Sequence, residues 1–140
     1  MFGRDKFEPS TEVLEVTSRG PILRVAFAGT HRDGVGALVG DYVREAMRIY
    51  EPAAVVLDFL HFKYRFGNDI GGIVQAFVGE GVDGEGAIRP TAIVARGATA
   101  KSLLSLLRPT KVTELFGVTF SEDVGSAVEH LRARLGVTTA

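Results

Sequence analysis

Apolar positions in this chain repeat with a period of two in some stretches and of three to four in others, the signature of strands alternating with helices. Val13 between Glu12 and Glu15 marks a strand over Thr11–Thr17, and Leu23, Val25 and Phe27 line one face of a second over Ile22–Ala28. Ser18, Arg19, Gly20 and Pro21 between them are turn residues, so the two form a hairpin. Over Gly34–Tyr50 the residues Val35, Leu38, Val39, Tyr42, Val43, Ala46, Met47 and Tyr50 form one stripe of an amphipathic helix. Asp41, Arg44, Glu45 and Arg48 lie on its water side. Asp33 is the expected cap, and Pro52 lies just past the far end. Ala53–Leu60 is then a nearly continuous apolar run, as expected for a central strand covered on both faces.

Asn68 or Asp69 caps the next expected helix, with Ile70, Ile73, Val74, Phe77 and Val78 toward the core. The acidic segment Gly79–Gly86 ends it as a loop. A strand follows at Thr91–Ala95, then a short helix around Thr99–Leu107 that stops at Arg108 and Pro109, and a strand at Leu115–Phe120. The final helix is expected from Ser121, with Val124, Ala127, Val128, Leu131 and Leu135 as its stripe. Glu122 and Asp123 fall in its expected first turn and His130, Arg132 and Arg134 toward its end, the polarity the helix dipole favours. The order ββαβαβαβα predicts a single α/β domain with a mixed central sheet of about five strands and four helices, joined by right-handed crossovers. An arrangement with the helices on one face and the other face more open fits this order. Residues 1–10, which mix charge with Pro9, read as a flexible leader, 11–136 as the domain and 137–140 as a tail.

With 140 residues and 46% hydrophobic composition the chain fits one core. A net charge of -1 gives no overall field toward nucleic acid or an anionic membrane. Cysteine is absent, which excludes disulfides, thiolate catalysis and Cys-based metal sites. The N-terminus has no apolar signal region, and no run approaches the roughly 18 apolar residues of a spanning helix. The expectation is a cytoplasmic protein without membrane insertion.

Candidate chemistry concentrates after the central apolar run. Asp58, at the expected end of that strand, and His61 suggest a proton-transfer pair, because His titrates near neutral pH. Residues three apart on a strand face opposite ways, however, so contact requires the chain to bend between them. Asp58 reads better as a loop anchor bonding nearby backbone amides. A metal site from Asp58, His61 and Asp69 lacks compact ligand spacing. Lys63, Tyr64 and Arg65, flanked by Phe62 and Phe66, form a basic-aromatic cluster. It reads either as a packed loop with snorkelling cations or as interface anchors. Phe62 and Phe66, taken as exposed, would serve a homodimer as well as a heterocomplex. Gly67, Gly71 and Gly72 match no phosphate-binding motif, and Glu80, Asp83 and Glu85 lack the order of a calcium loop. His31, Arg32 and Asp33 follow the second strand and extend the same sheet end or form only a turn. No catalytic, metal or cofactor set emerges.

Three passages resemble the STAS family, named for sulfate transporters and anti-sigma-factor antagonists. They are ILRVAFAG before a helix, VVLDF leading to GNDIGG, and the closing ELFGVTFSEDVGSAVEHL, and together they span most of 11–135. The resemblance implies a non-catalytic protein-interaction module in bacterial signalling or regulatory complex assembly. Its implied partner is a kinase-type anti-sigma factor or a multi-protein regulatory complex, with no nucleic acid. In the bacterial antagonists the central turn reads Asp-Ser-Ser-Gly or Asp-Ser-Thr-Gly, and a kinase phosphorylates a hydroxyl in it. If Gly71 matches that glycine, Asn68 stands at the acidic position, Asp69 at the phosphoacceptor and Ile70 at the next hydroxyl. No serine or threonine lies between Thr30 and Thr91, so this turn departs from the phosphoswitch. The implied partner-binding residues are Tyr64, Arg65, Asn68, Asp69, Ile70 and Gly71, with Asp69 a fixed charge in place of a variable one. As an isolated feature, Asp69 is also a plain helix cap.

Two other functions fit less. A small-ligand site for a nucleotide or lipid between the sheet end and the helix starts is common in α/β folds. RFGNDIGG also resembles the glycine-rich turn of the crotonase superfamily, but that chemistry needs a longer chain and a second glycine-rich oxyanion segment, for which Arg96, Gly97 and Ala98 substitute poorly.

Overall fold

A computed structural model describes residues 8–30, 35–63, 90–98, 100–101, 105 and 118–137; at 30, 35–40 and 63 the backbone alone is described. The chain opens with β1 (Glu8–Thr17) and β2 (Gly20–Thr30), an antiparallel pair joined by Ser18 and Arg19. The Thr17 hydroxyl holds this turn, accepting from the Arg19 N–H at 3.1 Å and donating to the Gly20 carbonyl at 2.8 Å. Gly20 has φ 129°, and a Cβ there would stand 3.3 Å from Cβ of Ala53. Glycine is therefore required both by the backbone angle and by the close approach of the next crossover.

Three residues of the expected leader belong to β1, because Glu8, Pro9 and Ser10 pair with Ala28, Phe27 and Ala26. An edge strand tolerates Pro9, since one side of its backbone faces no neighbour. Next comes α1 (Val35–Tyr50), which buries Val43, Ala46 and Met47 at the expected three- and four-residue spacing. It ends where Glu51 takes φ 44° and donates its N–H to Met47 O at 3.0 Å, with Pro52 following.

The parallel part of the sheet is β3 (Ala54–Lys63), β4 (Thr91–Val94) and β5 (Thr119–Ser121), and the spatial order is β1-β2-β3-β4-β5. β2, β3, β4 and β5 run parallel to one another. The five-strand mixed sheet is thus the expected one. The closing strand lies later than expected, at Thr119–Ser121, and residues 115–117 are outside the described ones.

The last helix, α2 (Val124–Leu135), begins three residues later than Ser121, which instead ends β5. Asp123 is its N-cap, with extended backbone at φ -148° and ψ 159°, and Glu122 precedes the cap. Neither acid occupies the first turn, where the sequence pattern placed both. The reason is local: an Asp outside the helix can accept from Ser126 N–H, here at 2.8 Å, which an Asp within the first turn cannot do as well. Gly136 at φ 71° closes the other end, with Gly136 N–H on Ala133 O and Val137 N–H on Arg132 O, a Schellman arrangement.

The two described helices cover opposite faces. Val43, Ala46 and Met47 of α1 pack with Leu23, Val25, Phe27, Val55, Leu57 and Ile93, whereas Ala127, Leu131 and Leu135 of α2 pack with Ile22, Ala54, Val56, Ala92 and Val94. The one-faced arrangement is therefore corrected. β3 and β4 carry apolar side chains at consecutive positions, so both faces need cover. Of the four expected helices, the one from Asn68 or Asp69 lies outside the described residues. Helical backbone at Gly97, Ala98, Ala100, Lys101 and Ser105 falls around the expected third, starting two residues earlier.

Candidate functional site at the carboxyl end of the sheet

Tyr64, Arg65, Asn68, Asp69, Ile70 and Gly71 lie outside the described residues, as do Phe66, Gly67, Gly72, the acidic loop with Glu80, Asp83 and Glu85, and the group His31, Arg32 and Asp33. What is described is the end of β3 at Lys63, the residue before Tyr64. There β3 outruns its neighbour β4, which pairs only with Val55–Asp58, and continues against β2 to the pair Thr30↔Lys63.

Asp58 does not end the strand. It sits inside β3, 2% exposed, at the start of an irregularity in it. Ala26 pairs with Asp58, but Ala28 pairs with His61, so β3 carries one extra residue over this step. This is a β-bulge, rare between parallel strands. Asp58 Oδ1 accepts the Leu60 N–H at 2.9 Å, satisfying an amide at the irregularity. Arg24, on β2, donates to Asp58 Oδ2 from Nε at 2.9 Å and from its terminal nitrogen at 2.7 Å. The same guanidinium reaches Glu12 on β1 at 3.1 Å. One charge-assisted chain thus crosses three strands on the α2 face; Asp58 bonds a nearby backbone amide as expected, but within the strand rather than in a loop after it.

The bulge also reverses the facing of the described side chains after it, His61 and Phe62. Phe59 and Phe62 are three apart, yet both enter the α1-side core, with Phe62 2% exposed. The Phe59 ring stacks on Phe27 at 5.0 Å and meets Phe62 edge-on at 5.4 Å. Phe62 is therefore a core residue, not the exposed interface aromatic expected from the sequence. His61, opposite Ala28, comes to the α2 face that Asp58 occupies and is exposed. The bend required for an Asp58–His61 pair thus exists, but both Asp58 oxygens are held by Arg24 and Leu60, and no proton-transfer pair forms.

Beside this end, Ala95 N–H bonds Ser121 O at 3.1 Å, and the Arg96 Nε donates to the Glu122 carbonyl at 2.7 Å. The bond from Ser126 N–H holds the Asp123 carboxyl below its ordinary value, with Arg96 adding a smaller effect of the same sign. From here α2 runs back to the hairpin. There Arg132 Nε meets both Glu15 oxygens at 3.0 and 2.9 Å, and Arg19 donates to Leu135 O at 3.1 Å. These arginine contacts were not foreseen. The available signal was a charge inside each of two apolar strands, Arg24 in ILRVAF and Asp58 in VVLDFL. Among the described residues, no group of three His, Cys, Asp or Glu side chains could hold a metal ion, and no helix is long and apolar enough to cross a membrane.

No family model matches the chain, and no curated protein matches it. Among solved structures it is similar to the crystal structure of an anti-sigma factor antagonist from Mycobacterium paratuberculosis, at 14% identity and a TM-score of 0.66. The match covers 94% of this chain and 99% of that one. The fold is STAS-like.

Proposed function

We propose that the chain is a non-catalytic protein-interaction module of the anti-sigma-factor-antagonist type, acting in bacterial signalling or regulatory complex assembly. Its partner, a kinase-type anti-sigma factor or a multi-protein regulatory complex, docks on Tyr64, Arg65, Asn68, Asp69, Ile70 and Gly71. The reading is supported by the likeness to an anti-sigma factor antagonist over nearly the whole of both chains. It is also supported by the sequence position of Tyr64, the next residue after Lys63, where β3 ends beyond its pairing with β4. Asp69 acts as a permanent charge: about one unit against the roughly 1.5 to 2 of a phosphate, so its mimicry of a phosphorylated turn is partial and constitutive.

Affinity capture from native cells tests this with wild type, Asp69→Ala and Asp69→Ser side by side. The set of retained proteins should change when the charge is removed. The same proteins on all three baits, in the same amounts, would defeat the role of Asp69.

A further inference from the structure

We propose that Asp58 is a positioning residue: held by Arg24, its carboxylate fixes the one-residue bulge in β3 and so sets which face of the sheet the last residues of β3, up to Lys63, present. The observations are geometric. Asp58 lies on the last residue pair before the register shift, and its Oδ1 takes the N–H of Leu60 within the shift. Oδ2 is locked by two Arg24 nitrogens, and Glu12 holds that guanidinium from the far side. A side chain held at both oxygens and nearly excluded from solvent has little freedom to release Leu60.

Because side chains alternate along a strand, one residue more or fewer exchanges the two faces for every residue that follows. Without the extra residue, 60 would pair with Ala28 and 61 with Gly29. Position 61 would then enter the core and position 62 would leave it. The Phe62 ring opposes that exchange from the α1 side, so the facing has two supports, an apolar one on one face of the sheet and an ionic one on the other. That this facing matters to a docked partner rests on the function proposed above; that Asp58 sets it does not.

The chain has no cysteine, so a single introduced thiol reports its own face. In Phe62→Cys the aromatic support is gone and Asp58 is left to hold the facing. The thiol should react slowly with a maleimide in this protein and at least about tenfold faster once Arg24→Leu and Asp58→Leu are added. His61→Cys, made with Phe62→Ala so that the aromatic support is absent there too, should show the reverse order. The paired apolar replacement is chosen because exchanging a buried ion pair for apolar residues is commonly tolerated. Amide exchange at Val25 and Leu57 checks that the sheet persists. A mere loss of stability would speed both thiols together, whereas a change of facing moves them in opposite directions.

Equal rates at residue 62 with and without the pair, in folded protein, overturn the inference. If the double replacement does not fold, Leu60 amide exchange in wild type and Asp58→Asn decides. The amide should be slow in both, because the Asn oxygen still accepts, and fast exchange in wild type overturns the inference. Affinity capture with the Arg24→Leu/Asp58→Leu bait separates the two claims. Thiols that exchange faces while the captured proteins stay unchanged count against the docking surface and not against the role of Asp58.

Discussion

Among the described residues, Arg24→Leu removes the side chain that holds Asp58 Oδ2 and leaves a carboxylate that is 2% exposed with the Leu60 N–H as its remaining described partner. Breaking a buried pair from one side costs about 3–5 kcal/mol, and Arg24 is itself 26% exposed, so screening puts the loss at the lower end, about 3 kcal/mol. Asp58→Leu leaves a different remnant. The guanidinium still reaches Glu12 at 3.1 Å and still meets water, so the cost is chiefly the orphaned Leu60 amide, about 1–2 kcal/mol. The double replacement leaves no stranded charge but still orphans the Leu60 amide, so it should lose about 1–2 kcal/mol, no more than Asp58→Leu alone. Urea titrations of the four proteins, read with a common slope, give the cycle. An Asp58→Leu protein as unstable as Arg24→Leu, or losses that simply add in the double, would refute the assignment of a desolvated carboxylate held by one arginine.

Other perturbations follow from the same contacts. Gly20→Ala should destabilise by about 1–3 kcal/mol in a thermal or urea melt, since the new methyl meets Ala53 at a φ that L residues rarely adopt. Leu131→Ala, wholly buried against the α2 face of the sheet, should cost about 2–5 kcal/mol by the same melts. Hydrogen bonds from Arg132 hold the Glu15 carboxyl below its ordinary value. The stabilisation it contributes is therefore full above the ordinary carboxylate range and fades as pH falls through the depressed value. The melting-temperature gap between wild type and Glu15→Gln should stay constant from neutral pH to about pH 5 and close in stronger acid. A gap that widens on acidification contradicts that ion pair.

The fold was legible where one period ran long enough to have a single interpretation. Val43, Ala46 and Met47 lie on the buried side of α1, and the hairpin turns between Thr17 and Gly20, as their spacing requires. The consecutive apolar residues of β3 already called for cover on both faces, a consequence that the one-faced arrangement overlooked. The bulge was illegible because period-two reasoning assumes an unbroken ladder. The pattern puts Phe62 at the surface, and the extra residue turns it inward. Asp58 was correctly read as an amide anchor, but its arginine partner lies 34 residues away, and only the β2–β3 register brings the two together. At the start of α2, Ser121 and Asp123 are both cap residue types, and Asp123, with extended backbone just before the helix, is the one that caps it. Of the candidate site, the sequence named the residues and their charge, and the described fold supplies the strand from which they follow.

The central claim is that a protein partner meets the segment beginning at Tyr64, and site-specific photo-crosslinking tests it most directly. A photoreactive phenylalanine analogue is placed at Tyr64 in one protein and at Arg19, in the hairpin turn at the other end of the sheet, in a second. Irradiation in native cells should join a protein to the probe at position 64 and leave the probe at position 19 without an adduct. Adducts from position 19 alone, or from neither position, would contradict the account.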